Sequence, residues 1–328
     1  MAGLWVIAET NADGTLARSS AELGTLGRTL GEAAKIDVTG VVVAPDPGGA
    51  ATELATYVGR VIAIAEPLTA DHAWGQLAAQ RAAEVIDATG PTLVLAGAGP
   101  DGRDVAGTLL MVLDGAVLVN ATAVAWDDGE SVEMSVFGGK LITTSGFTEN
   151  AGVRIVTVRP NVVTAEPAKA AGKVEARKPS SSLDLPAVRI VDRLEESGAA
   201  VSIDDARIIV AGGRGVAGTE GFELVQEIAD LLGGAVGATR AAVDSGWIPY
   251  AQQIGQTGKI VKPKLYLALG ISGAIQHKVG MQTSETIIAV NRDPDAPIAE
   301  FADLLVVGDL FEVGRALVAQ LKERRAKA

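Results

Sequence analysis

Side chains able to do chemistry are concentrated between Leu265 and Asn291, in the stretch LYLALGISGAIQHKVGMQTSETIIAVN. Ser272, Gln276 and His277 lie there, and His277 is one of only 2 histidines in the chain. An apolar run from Leu265 to Leu269 precedes them and a second, Thr286 to Val290, follows and ends on Asn291. A polar turn between a buried strand and a helix start offers backbone N–H groups and the positive end of a helix dipole to whatever binds there. His277 beside such a turn is either a packed structural histidine or a donor aimed at a bound group.

A second constellation is Gly213-Arg214-Gly215-Val216-Ala217-Gly218, which matches G-x-G-x-x-G between an apolar run and a helical pattern. Glycines there let backbone approach a pyrophosphate, and Arg214 adds a cation for phosphate oxygens; a plain structural turn is the competing reading. The acidic residue that a NAD site places about 20 residues further on is missing, because Gly233-Gly234-Ala235 is uncharged. Thr239-Arg240 follows the short apolar step Ala235 to Gly237, and Arg240 is either a surface charge or a cation over a bound anion or ring. The loop from Gln252 to Lys259 has three amides, a hydroxyl and two glycines, which suits either a connection or hydrogen bonding to a heterocycle. A flavin gathers negative charge near N1 and the C2 carbonyl on reduction, so His277 and a helix start facing that edge would stabilise it. His72 follows Asp71 at a helix start and reads as a surface residue.

These residues need a frame, and the pattern supplies one. Leu4 to Ala8, Val38 to Ala44, Val58 to Ala65 and Pro91 to Ala98 read as strands, with helices over 21–34 and 71–89 and another after Gly102. That alternation predicts a parallel sheet with right-handed crossovers. Residues 117–165 carry short apolar runs between turns, expected to extend the same sheet partly antiparallel. Glu166 to Asp184, rich in Ala, Lys, Pro and Ser, reads as an exposed linker. Val188 to Leu194 offers one more strand, and a domain boundary falls near Gly198 to Asp204. The second half restarts with strands at Arg207 to Ala211, Leu265 to Leu269, Ile287 to Val290 and Leu304 to Val307. Each is followed by a loop bearing Gly, Ser or Asp. Ligands of open parallel sheets lie outside the carboxyl ends of the strands at a topological switch point, so these loops should converge on one crevice. The basic tail from Lys322 reads as a solvated helix end.

Composition narrows the chemistry. At 328 residues and 48% hydrophobic residues the chain can bury two cores, and 4% aromatics suits Ala-, Val- and Leu-rich α/β layers. A net charge of −12 argues against a nucleic-acid partner. The absence of Cys excludes disulfides, thiol catalysis and thiolate metal sites. There is no GKS/T loop, no H-E-x-x-H and no G-x-S-x-G. No apolar run approaches the about 18 residues of a membrane helix, so a bacterial cytoplasmic protein without membrane insertion is expected, with no metal.

LYLALGISGAIQHKVG with TIIAVN closely resembles the signature of the electron transfer flavoprotein alpha subunit family. GGRGVAG, GATRAAVDSGW and QIGQTGKIV resemble that family's other flavin loops, in the same order, and the likeness is dense over residues 205–318. In the first half it rests on the βαβ rhythm and Gly102-Arg103-Asp104-Val105-Ala106. The wording of residues 135–150 and the length of the Ala-, Lys- and Ser-rich linker depart from the family.

The resemblance implies an α/β fold of two Rossmann-like parallel-sheet domains. The first, 1–200, is nucleotide-hydrolase-like with extra strands and forms the partner interface; the second, 201–328, carries FAD. It implies a heterodimer with a beta subunit that shuttles electrons from dehydrogenases, acyl-CoA dehydrogenases among them, to a quinone-linked oxidoreductase. Fatty acid beta-oxidation is the expected setting, and the chain is an electron carrier, not an enzyme. Arg214 would sit near the phosphates, Thr239 would keep a hydroxyl where the family often has Ser, and Arg240 would lie over the isoalloxazine. Gln253, Ile254, Gly255, Gln256 and Thr257 would form the flavin-edge loop, with Thr257 near N5. Ser272, Gly273, Ala274, Ile275, Gln276 and His277 would wrap ring and pyrophosphate, His277 donating to the C2 carbonyl. Asn291, Asp309 and Leu310 would hold the adenosine end. Arg240, Thr257 and His277 would tune the flavin. The alternative is a nicotinamide- or nucleotide-dependent α/β oxidoreductase using the same glycine loop.

Overall fold

Apolar runs with no polar interruption become the inner strands of two separate sheets in the computed structural model. The structure describes residues 3–86, 93–127, 129–136, 141–179, 188–192, 203 and 206–327. The chain divides into two units, Met1–Arg193 and Leu194–Ala328.

The first unit holds β1 (Gly3–Ala8), α1 (Arg18–Ala34), β2 (Asp37–Ala44), α2 (Gly48–Leu54), β3 (Arg60–Ala65), α3 (Trp74–Ile86), β4 (Leu93–Gly97) and α4 (Pro100–Val112). It continues with β5 (Ala116–Trp126), β6 (Glu130–Val136), β7 (Leu141–Ser145), β8 (Arg154–Val158) and β9 (Lys173–Arg177). The sheet runs β7-β6-β5-β8-β4-β1-β2-β3-β9, parallel throughout except at β5–β6 and β6–β7. Side chains alternate along the inner strands between two apolar layers. Trp5, Ile7, Val41, Val43 and Val94 pack with α3 and α4, whereas Leu4, Val6, Leu93 and Leu95 pack with α1. The antiparallel extension expected within 117–165 is β6 and β7.

Two readings change. Residues 166–184 are not only linker: Lys173–Arg177 pairs in parallel with β3 as an edge strand, and Arg60 and Glu175 join across it at 2.7 Å. Every residue of β9 is exposed, so it gives no hydrophobic signal; backbone pairing and the Arg60–Glu175 pair recruit it. The Pro-Gly-rich stop after β2 contains the short helix α2. Of the strand expected at 188–194, residues 188–192 hold one isolated bridge, Arg189 to His72; positions 193 and 194 lie outside the described residues, as do 180–187 and the larger part of 198–204.

The second unit holds β10 (Ile208–Gly212), α5 (Thr219–Leu232), β11 (Ala235–Ala238), α6 (Arg240–Asp244), β12 (Leu265–Leu269), α7 (Ile275–Met281), β13 (Ile287–Asn291), β14 (Leu304–Val307) and α8 (Leu310–Lys327). Its five strands are all parallel, in the order β11-β10-β12-β13-β14. The strand order reverses direction between β10 and β12. One face, with Val210, Leu267 and Val290, packs against α5 and α8; the other, with Ile209, Tyr266 and Ala268, packs against Ile254, Met281 and Ile298. The basic end of α8 is tied back to α5 by Lys322 on Glu227 at 2.6 Å. No described helix is long and apolar enough to cross a membrane.

Candidate functional site

The carboxyl ends of β10 and β12 flank the switch point, and their loops lock together through backbone. Gly213 N–H donates to the Leu269 carbonyl at 2.9 Å and Gly215 N–H to the Gly270 carbonyl at 3.0 Å. A β-carbon on Gly213 would lie 2.4 Å from the Gly270 oxygen, so only glycine permits this approach. The same joinery continues round the edge. The Asn291 side-chain amide donates to the Ile271 carbonyl at 2.9 Å, Ile298 N–H to the Ser272 carbonyl at 3.0 Å, and Gly308 N–H to the Asn291 carbonyl at 3.0 Å. On the other side, Ile254 N–H donates to the Ala238 carbonyl at 2.9 Å and Gln256 N–H to the Gln276 carbonyl at 2.7 Å. The loops after β10 to β14 and the 253–257 loop thus form one hydrogen-bonded rim.

What this rim leaves unpaired points to a ligand. The backbone N–H groups of Ser272 to Gln276 have no acceptor among the described residues, and Ser272, Ala274, Ile275 and Gln276 are exposed. Gly218, immediately before helix α5, supplies no side-chain cap, so the helix's first amides are likewise open. Among the described residues, the Thr239 hydroxyl is the one buried side-chain oxygen or nitrogen lacking a hydrogen-bond partner. Unpaired buried polar groups cost about 1–3 kcal/mol, which a bound polar group can offset.

Each expected residue has a definite place. Arg214 is exposed within the glycine loop. Arg240 is exposed at the first position of α6 and its Nε lies 3.2 Å from Asp244 Oδ2. Gln253 is buried, and its amide donates to Thr257 Oγ1 at 3.0 Å, while Gln256 and Thr257 face solvent. Gly255 has φ of 144° and Gly273 φ of 86°, conformations that favour glycine, and each backs directly onto neighbouring backbone. Asp309 caps α8 through Phe311 N–H at 2.8 Å and pairs with Arg292, whose guanidinium holds its carboxyl below the usual range. Leu310 is buried in the core behind the rim.

His277 is arranged otherwise than the resemblance implies. It is only 6% exposed, and both ring nitrogens are engaged: Nδ1 lies 3.0 Å from the Ile254 carbonyl and Nε2 lies 2.9 Å from the Tyr266 hydroxyl. A carbonyl only accepts, so the proton sits on Nδ1 and Nε2 accepts from Tyr266. Burial drives the imidazole down to about 4, so it is neutral. No ring N–H is left to donate to a flavin carbonyl. Tyr266 was not singled out in the sequence; a lone hydroxyl within the run Leu-Tyr-Leu-Ala-Leu, on a strand buried on both faces, is the signal that marks it.

Comparison with known proteins agrees along the whole chain. The family model described as the electron transfer flavoprotein domain matches residues 4–183, and that of the electron transfer flavoprotein FAD-binding domain matches residues 202–282. The electron transfer flavoprotein subunit alpha of Mycobacterium leprae (strain TN) is 41% identical over 99% of this chain and 100% of its own length. That of Mycobacterium tuberculosis (strain CDC 1551 / Oshkosh) is 43% identical over 99% and 100%. That of Thermoanaerobacterium thermosaccharolyticum is 34% identical over 98% of each. These matches lend nothing to the nicotinamide-dependent alternative.

Proposed function

The chain belongs to the electron transfer flavoprotein alpha-subunit family, and from that premise we propose that it transforms no substrate of its own and carries electrons on an FAD held along the carboxyl edge of β10 to β14. The observation that carries this reading is the rim itself, whose open amides and orphaned Thr239 hydroxyl suit a long ligand with anionic and heterocyclic parts. FAD, when bound, supplies reversible electron acceptance.

The chain's own residues bind, orient and polarise. Arg214 and the open amides of α5 hold the pyrophosphate by charge-assisted hydrogen bonds. Arg240 places a cation beside the ring, where it favours the reduced, more negative form. The amides of Ser272, Gly273, Ala274, Ile275 and Gln276 add oriented dipoles to the same end. Gln253 fixes Thr257, which with Gly255 and Gln256 lines the ring edge. His277, neutral and fully engaged, holds the Ile254 carbonyl and so sets where this loop lies. Asn291 and Asp309 form the adenosine end, braced by Ile271, Arg292 and the start of α8, while Leu310, its side chain in the core, backs that end from behind.

The relatives' designation as subunit alpha supports a partner subunit, which we take to be a beta subunit docking on the first unit as a heterodimer. Donor dehydrogenases, acyl-CoA dehydrogenases among them, would reduce the complex in the cytoplasm, and a quinone-linked oxidoreductase would reoxidise it.

The test is a visible absorbance spectrum of the chain co-purified with its beta subunit. Flavin bands, with FAD released on denaturation, are expected. A colourless complex that also fails to take up added FAD overturns the reading.

A further inference from the structure

We propose that Tyr250 is a positioning residue for the cofactor loop: its hydroxyl holds the Thr257 carbonyl, and that hold aims the Thr257 side chain at the ring edge. The proposal rests on FAD occupying the rim described above, and it concerns how the tip of the 253–257 loop is fixed there.

Tyr250 opens a single 3₁₀ turn, Tyr250–Gln252, directly after Pro249. The turn closes on itself, with Gln252 N–H donating to the Pro249 carbonyl at 3.1 Å and Gln253 N–H to the Tyr250 carbonyl at 2.9 Å. From this braced base the Tyr250 side chain reaches Thr257, and its hydroxyl donates to the Thr257 carbonyl at 2.7 Å. A carbonyl only accepts, so the bond has one sense. Tyr250 is 60% exposed, so apolar burial does little to explain a tyrosine here. What ties the side chain to the fold is its hydroxyl.

Gln256 and Thr257 are exposed, so hydrogen bonds rather than core packing must fix the tip. The Thr257 carbonyl and the Gly258 N–H belong to one peptide unit, and its two edges are gripped separately. Gly258 N–H donates to the Gly255 carbonyl at 3.1 Å, and the Thr257 carbonyl accepts from Tyr250. Held at one edge, the unit can rock about that bond; held at both, it cannot. Position 258 needs glycine, because a β-carbon there would lie 2.3 Å from the Gln253 oxygen. Glycine also gives the unit its greatest rotational freedom, which makes the second grip matter. The Thr257 side chain stands on this peptide. Its Oγ1 accepts from the buried Gln253 amide at 3.0 Å, which leaves the hydroxyl's own hydrogen to donate elsewhere. Gln253 thus sets the sense of the hydroxyl, and Tyr250 sets the backbone that carries it.

The experiment compares the full chain, in complex with its beta subunit and FAD, with Tyr250→Phe, Thr257→Val and the double variant. Phenylalanine keeps the exposed ring and removes the bond, so the melting curve should hardly move. Exchange of the Gly258 amide should quicken about fivefold, FAD should bind about fivefold more weakly, and the visible bands of bound FAD should shift. A tyrosine with a merely structural role would leave those bands in place. Thr257→Val already removes the aimed hydroxyl. In that background Tyr250→Phe should still quicken Gly258 exchange, but should neither weaken FAD binding further nor move the bands. Unchanged Gly258 exchange, unmoved bands in Tyr250→Phe, or the same loss of affinity in the Thr257→Val background would each overturn the proposal. Failure of the unsubstituted complex to bind FAD would instead sink the carrier reading, and Gly258 exchange would still decide whether Tyr250 holds the loop.

Discussion

Gly215 and Gly270 touch backbone to backbone: the N–H of Gly215 donates to the Gly270 carbonyl at 3.0 Å, and a β-carbon on Gly215 would lie 2.8 Å from the Gly270 α-carbon. The glycine loop is thus one half of a joint whose other half is the loop after β12. Gly270, with φ of 62°, has the left-handed conformation that closes it.

Gly215→Ala should force the two loops apart, at a cost of about 1–3 kcal/mol in stability, and should lower FAD affinity by more than that strain alone accounts for. Gly308→Ala is the control at the same end of the sheet, because its β-carbon would meet only Val313 Cγ2 at an ordinary 3.6 Å. Urea unfolding and FAD titration of both variants check this; equal behaviour would show that the joint does not shape the site.

Arg240 is held by an ion pair with Asp244 in which both side chains are well exposed, at 66% and 62%. Such pairs contribute at most about 1 kcal/mol, so Arg240 can exchange this partner for a bound ring. Arg240→Ala should leave the melting curve nearly unchanged. It should make the midpoint potential of bound FAD more negative by about 30 mV, the equivalent of about 1.4 kcal/mol in a two-electron couple. Spectroelectrochemistry decides; an unmoved potential would remove Arg240 from this role.

How much of this could be read from the sequence follows from where the signal resides. Leu265 to Leu269 and Ile287 to Val290 announce themselves as doubly buried strands because only the Tyr266 hydroxyl breaks their apolar character, and the glycine loop stands out because its spacing is fixed by close backbone approach. β9 could not be read, since Lys-Val-Glu-Ala-Arg buries nothing and is held by backbone pairing to β3. His277 could be located but its partners could not. The residues it bonds, Ile254 and Tyr266, lie 23 and 11 positions away and meet it only once the sheet has formed. The orphaned Thr239 hydroxyl is likewise invisible until the end of β11 is packed.

Thr257 is linked to a buried amide, since Gln253 is 2% exposed and donates to Thr257 Oγ1 at 3.0 Å. Thr257→Val keeps the shape and removes the acceptor, stranding the amide at a cost of about 1–3 kcal/mol. Thr257→Ser keeps the acceptor and should retain both stability and the visible spectrum of bound FAD. Only the valine variant should shift the spectrum. Matching spectra in the two variants would mean that the hydroxyl does not face the ring edge.

The two units should respond to acid in opposite senses. Burial lowers His277 from 6.5 to about 4. Between those values the unfolded chain binds more protons, so the second unit is most stable above pH 6.5 and loses stability as pH falls toward 4. Glu9, at the end of β1, is raised from 4.5 to about 7, by burial first and by the charge of Asp101 second. Here the folded state binds more protons, so the first unit is most stable below pH 4.5 and loses stability as pH rises toward 7. Each slope is at most about 1.4 kcal/mol per pH unit. Hydrogen exchange followed separately in β1 and β12 should therefore show protection in β1 falling, and in β12 rising, from pH 5 to pH 7. Glu9→Gln should flatten the first trend alone and His277→Asn the second alone. If both substitutions flattened both trends, stability would be shared across the chain as one cooperative transition; if neither did, these two groups would not set the pH dependence.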